Sequence, residues 1–168
     1  ATYIQATISE TTAANLAAIT VDNSTRASLN KFSVVVSDTT ATAAELNAVS
    51  AITSVDADFS NITGIEASPS SAITTLYTAS TTGLGTEDIS VNDTTLNAGT
   101  LNTINGYTTG DVTITATSLE GSADDVLTAV TNTGTGVVAA GLKIPVTVTD
   151  TGAIDAATLV SIVDIVDE

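Results

Sequence analysis

The chain has 168 residues, enough for one well-buried domain, and carries 19 acidic against 3 basic side chains with no histidine, a formal net charge of −16. That balance excludes binding to nucleic-acid phosphates and to anionic lipid headgroups, since both would meet repulsion. Cysteine is absent and aromatics are scarce, which excludes disulfides, thiolate metal sites and thiol catalysis and leaves a core of Ala, Val, Ile and Leu packed in thin layers.

Residues 1–31 read as a partial repeat: 4–9 alternate like a strand, 11–19 resemble a short helical turn, and the polar stretch 21–30, with Arg26 and Lys31 around Leu29, reads as a loop. The first full repeat, 32–88, predicts a strand over 34–37, a turn at Asp38-Thr39-Thr40 and a helix over 43–51. Ala43, Leu46 and Val49 share one face of that helix. Residues 54–57 and 62–66 predict short extended pieces, and Pro69 stands where proline favours a helix start ahead of 72–77. A glycine-punctuated loop over 81–88 leads into the second repeat, 89–145. Its helix spans 98–104 and is closed by Asn105-Gly106, its strand spans 112–115, and residues 118–127 parallel the Pro69 arm. Residues 131–136 read as a loop, and 137–142 take the place of Gly83-Leu84-Gly85. A partial third repeat, 146–168, opens after Ile144-Pro145 and ends in an apolar helix over 156–166. No apolar run is long enough to span a bilayer, and any export signal would have to lie upstream of Ala1.

The repeat is carried by one stretch. Val34-Val35-Val36-Ser37-Asp38-Thr39-Thr40, followed by Ala43-Ala44-Glu45-Leu46-Asn47, returns as Ile89-Ser90-Val91-Asn92-Asp93-Thr94-Thr95 with Ala98-Gly99-Thr100-Leu101-Asn102. It returns again as Val146-Thr147-Val148-Thr149-Asp150 with Ala156-Ala157-Thr158-Leu159. The copies stand roughly 55 to 57 positions apart, and each divides into two unequal strand–helix units of about 28 residues, close to a leucine-rich-repeat rung. Single-unit crossovers force parallel strands and a right-handed coil. The expected fold is therefore an α/β right-handed solenoid of about six parallel strand–helix rungs, one domain over 1–168, with Val34/Val36, Val91 and Val146/Val148 on equivalent strands.

Several of these words also resemble a known kind of sequence. Ser37-Asp38-Thr39-Thr40 with Ala43-Ala44-Glu45-Leu46-Asn47, Gly83-Leu84-Gly85, Thr108-Thr109-Gly110, and Glu120-Gly121-Ser122-Ala123-Asp124-Asp125-Val126 look like units of long Thr/Ala/Asp-rich repeat proteins of cyanobacterial and other marine bacterial surfaces, with similar units in structural proteins of their phages. The resemblance covers residues 32–160, departs at the Pro69 arm, and implies an extracellular, cell-surface or virion location and an adhesive or fibre-forming role. It brings no catalytic residues with it.

Asp38, Asp93 and Asp150 are the best-defined polar positions. Each ends a strand ahead of a helical turn, where a carboxylate can accept exposed backbone N–H groups for about 1 kcal/mol per site. They are also the candidate metal ligands, with calcium the ion that hard oxygens would suit, although equivalent carboxylates two rungs apart are too distant to share one ion. Asp56/Asp58, Glu87/Asp88, Asp124/Asp125 and Asp164/Asp167/Glu168 read as solvated charge and match neither established calcium-loop spacing. Without His or Cys, a nucleophilic dyad would need Lys31 or Lys143 beside a serine. The scattered Tyr3, Phe32, Phe59, Tyr77 and Tyr107 read as packing at rung ends rather than a sugar platform. The expectation is a non-enzymatic structural module without catalytic residues or cofactor. It would associate with copies of itself or with neighbouring repeats of a longer chain, and bind no nucleic acid and enter no membrane. A calcium-dependent module for glycans or proteins is the alternative, and a polysaccharide-directed enzyme with two convergent carboxylates comes third.

Overall fold

The helices each begin at a small residue followed three positions later by a branched aliphatic one. In the computed structural model, which describes residues 11–19, 33–131 and 144–166, these are α1 (Ala13–Ala17), α2 (Ala43–Ala51), α3 (Ser70–Thr78), α4 (Ala98–Asn105), α5 (Ala123–Thr131) and α6 (Ala156–Val166). Their first residue is small, so the backbone can approach the strands. The fourth reaches inward: Leu16, Leu46, Ile73, Leu101 and Val126 are all 0 % exposed. Each such side chain contributes about 1.5–3 kcal/mol of burial. The expected face Ala43, Leu46 and Val49 is fully buried.

The strands are short because each does little more than seat one or two inward side chains. They are β1 (Thr40–Thr42), β2 (Ala57–Asp58), β3 (Gly64–Ser68), β4 (Thr81–Thr82), β5 (Asp88–Val91), β6 (Thr95–Asn97), β7 (Val112–Ile114), β8 (Ser118–Gly121) and β9 (Val146–Val148). They form sheets in the orders β1-β3-β5-β7, β2-β4 and β6-β8-β9, and every pairing is parallel. Parallel neighbours need crossovers. Here α2 lies between β1 and β3, α3 between β3 and β5, α4 between β6 and β8, and α5 between β8 and β9. The chain is thus a mixed α/β fold of parallel strands, with each helix packed on the next from α1 to α6. Register aligns Ala41, Ile65, Ile89 and Val112 as one inward row, all buried, and Leu96, Leu119 and Val146 as another.

Three sequence expectations are corrected. The strand over 34–37 is only an isolated parallel bridge between Val35 and Asp58, with Val34 and Val36 buried and Val35 exposed. Conversely, β1 starts on the last residue of the expected turn at Asp38-Thr39-Thr40, and β6 occupies residues for which no strand is expected, because three residues carry too little periodicity to announce one; β3 and β8 make them strands by pairing with them. Finally, the three valine segments do not share one strand stack. Val35 bridges to β2, Val91 lies in the four-stranded sheet and Val148 in the three-stranded one, since corners interrupt each ladder after a few residues. Their equivalence survives in the backbone. Ser37 N donates to Thr11 O, Asn92 N to Ser68 O and Thr149 N to Gly121 O, each just ahead of a helix. The expected strand over 4–9, the polar loop 21–30 and the segment 132–143 lie outside the described residues.

Candidate functional site

An α-helix leaves its first N–H groups without partners, and something must accept from them. Helices α2 and α4 solve this locally. Thr42 and Glu45 form a reciprocal capping box on α2, and Asn97 Oδ1 accepts from Thr100 N at 3.1 Å on α4. In α1 and α3 the N-cap residues, Thr12 and Pro69, make no side-chain cap. Their acceptors come from the next strand–helix unit: Asp38 Oδ2 accepts from Ala13 N at 2.5 Å, and Asp93 Oδ2 from Ser70 N at 2.6 Å. Asp150 Oδ2 does the same for Ala123 N of α5 at 2.7 Å, adding to that helix's own Ser122 cap. The separations are 25, 23 and 27 residues.

The three aspartates singled out in the sequence thus do cap helices. They serve the helix of the unit before them, not the one that follows, and the three do not act on a common centre. A second set of contacts runs the other way. Asn47 Nδ2 of α2 donates to Ala72 O of α3 at 2.8 Å, and Asn102 Nδ2 of α4 to Asp125 O of α5 at 3.0 Å. Helices α3 and α5 are therefore held by an asparagine from the preceding helix and an aspartate from the following unit. Helix α2 meets Ser68 at the corresponding place, whose hydroxyl oxygen accepts from Ala43 N at 2.9 Å. The two-unit period of the sequence is this alternation between helices whose first N–H is held by an aspartate of the following unit (α1, α3, α5) and helices that no such aspartate reaches (α2, α4).

Glu87 was expected at the surface and is instead fully buried. Its Oε2 accepts from Gly85 N at 2.7 Å and Thr86 N at 3.0 Å, while Oε1 has no hydrogen-bond partner. The surrounding corner is closed by backbone contact. Thr108 Oγ1 donates to Glu87 O at 2.6 Å, and a Cβ on Gly110 would lie 2.5 Å from that oxygen. Gly83, with φ +87°, lies so close to Ser60 that a Cβ would fall 2.4 Å from Ser60 N. Beside this corner Tyr77 and Tyr107 stack with ring centroids 4.6 Å apart and planes 6° apart, so these two are not scattered. Phe59 is wholly buried, whereas Tyr3 and Phe32 lie outside the described residues. Positions 77 and 107 are about one unit apart, the signal that would have paired them in sequence.

The outward face of the four-stranded sheet carries an open depression of about 330 Å3, lined by Thr40, Thr63, Glu66, Asp88, Ser90 and Thr113 among others. Its carboxylates are engaged by the chain: Thr40 Oγ1 donates to Glu66 Oε1, and Asp111 N to Asp88 Oδ1, both at 2.8 Å. Asp58 accepts from Ser60 N at 2.9 Å, and this backbone bond, with the Ser60 hydroxyl, holds its carboxyl below the usual aspartate value. Among the described residues no three His, Cys, Asp or Glu side chains gather as metal ligands. Arg26, Lys31 and Lys143 lie outside those residues, and with them any Ser–Lys pair. No described helix is long and apolar enough to cross a membrane. Comparison with protein-family models, curated proteins and solved structures finds no match.

Proposed function

We propose that the chain is a non-enzymatic structural repeat module of an extracellular fibre, adhesin or surface layer, coiled as a right-handed α/β solenoid and associating end to end. The observation that carries this reading is the use of its best-defined polar side chains. Asp38, Asp93, Asp150, Asn47 and Asn102 all reach across to a neighbouring unit and close its backbone hydrogen bonds. A chain built this way spends its polar chemistry on joining units, which is what a load-bearing repeat requires. Parallel strands joined through helices support the right-handed coil, because that crossover is almost always of that hand. The resemblance to Thr/Ala/Asp-rich surface repeats supports the extracellular setting.

Light scattering and negative-stain electron microscopy of the purified protein over a concentration series test the proposal. Regular linear assemblies whose length grows with concentration are the expected result. A protein that remains a monodisperse monomer throughout, or one that hydrolyses polysaccharide, would overturn it.

A further inference from the structure

Outward side chains on the four-stranded sheet stand in rows, because parallel strands in register place equivalent residues about 4.8 Å apart. One row has a gap. Register puts Thr40 opposite Gly64 and Gly64 opposite Asp88, so a position without a side chain lies between two that have one. The depression of about 330 Å3 is at this gap, lined by all three residues and, farther along the strands, by Glu66, Ser90 and Thr113. A Cβ on Gly64 would lie 3.3 Å from Thr40 Cγ2, so that methyl group forms an apolar wall beside the gap.

The two carboxylates of the depression are each anchored through one oxygen. Glu66 Oε1 accepts from Thr40 Oγ1 and Asp88 Oδ1 from Asp111 N, whereas Glu66 Oε2 and Asp88 Oδ2 accept from no group among the described residues. Both side chains are exposed, and Asp111, also exposed, extends the row toward β7. Anchored acceptors lose little side-chain freedom when a ligand arrives. What they lack is a donor, since no cation lies among the described residues. Calcium takes about six to eight oxygens, and no three carboxylates gather among the described residues. No aromatic ring lines the depression to seat a sugar. The chemistry that fits is a positive charge with several N–H donors in one plane, carried on an apolar stem.

We infer that the depression receives an arginine side chain from an extended basic segment of a second protein. The guanidinium donates to Glu66 Oε2 and Asp88 Oδ2 together, a forked reach that a lysine ammonium does not have. The methylene stem passes over Gly64 against the Thr40 methyl, in the room that the missing side chain leaves. The net charge of −16 draws such a partner from a distance, while the depression fixes where it docks. The contact uses the outward sheet face and does not depend on end-to-end association of copies.

The probe is a short capped peptide of alternating serine and arginine, with its neutral citrulline counterpart, titrated into the full isotope-labelled chain at low salt. Amide shifts gathered at residues 64–66, 88–90 and 113 are expected, with the citrulline peptide binding about tenfold more weakly or worse. Glu66→Gln/Asp88→Asn should raise Kd by about tenfold or more, because both anchoring bonds keep an acceptor while the charge is lost. Glu120→Gln/Asp124→Asn removes the same charge from exposed positions elsewhere and should raise Kd by less than about twofold. Gly64→Val fills the gap without altering charge and should also weaken binding by about tenfold, with circular dichroism confirming that each variant folds. Equal losses from the two charge pairs, or full binding by a folded Gly64→Val chain, would mean attraction by overall acidity and overturn the inference. So would a peptide that does not bind at all, or shifts at the same residues produced by calcium chloride and not by the peptide.

Discussion

A carboxylate that caps a helix from another unit is worth about as much as a local cap, and it leaves a larger gap when the helix has no cap of its own. Asp93→Ala should therefore lower stability by about 1 kcal/mol in urea unfolding, with α3 losing its only side-chain cap, since Pro69 cannot supply one. Glu87→Ala should cost about 2 kcal/mol, because a buried side chain that accepts from Gly85 N and Thr86 N is removed, while Asp88→Ala, one residue on and exposed, loses a single exposed bond from Asp111 N and should cost less, about 0.5–1 kcal/mol. Asp58 adds a pH signature. Its folded carboxyl lies below the usual 3.8, so its stabilisation is present above that value and is lost as pH falls through the lowered one. Asp58→Asn should lower stability modestly at neutral pH and converge with the unmodified chain once pH falls below the lowered value, flattening the acid limb, which thermal unfolding across pH would show.

At the level of elements, Asn102→Ala should remove the α4-to-α5 clamp, for about 1 kcal/mol, and raise amide exchange first in α5, with α2 and α3 unaffected. Equal acceleration throughout would mean that the clamps do not act unit by unit. Helices α2, α3 and α4 were legible in sequence to within two residues, because Ala43/Leu46/Val49 and Ala98/Leu101/Ile104 repeat at helical spacing and Pro69 marks a start, whereas α5 was not bounded and its last residue, Thr131, reads as loop. The strands were legible only where β-branched residues cluster, as in β7 and β9. In β1 and β6 the strand exists by virtue of a partner 23 or 24 residues away, and no local pattern encodes that. The aspartates were recognisable as caps from their place ahead of Ala-rich helices. Their true partners were hidden for the same reason: sequence reading looks for a cap three residues from its donor. Glu87 was misplaced because an acidic pair in a glycine loop looks solvated, and nothing in the sequence announces that Gly110 lets another backbone segment close over it.

For the molecule as a whole, the charge of −16 falls on a chain whose described residues include no cation. Salt should raise the melting temperature by screening this repulsion, on the scale of a Debye length of about 10 Å at 0.1 M, and a chelator should change it little. A large drop on chelation would reveal a calcium site that the capping roles of Asp38, Asp93 and Asp150 do not suggest. The cross-unit caps also set an order in time. As the chain leaves a ribosome, α1, α3 and α5 appear 23 to 27 residues before the aspartates that complete them. At roughly 5–20 residues per second this is a wait of about one to five seconds. Helices α2 and α4 carry side-chain caps of their own, although the first N–H of α2 still waits for Ser68, 25 residues on. Synthesis therefore proceeds as a ratchet: each aspartate, on emerging, locks the helix made before it, so that a growing end that has just passed α1, α3 or α5 holds one helix not yet committed.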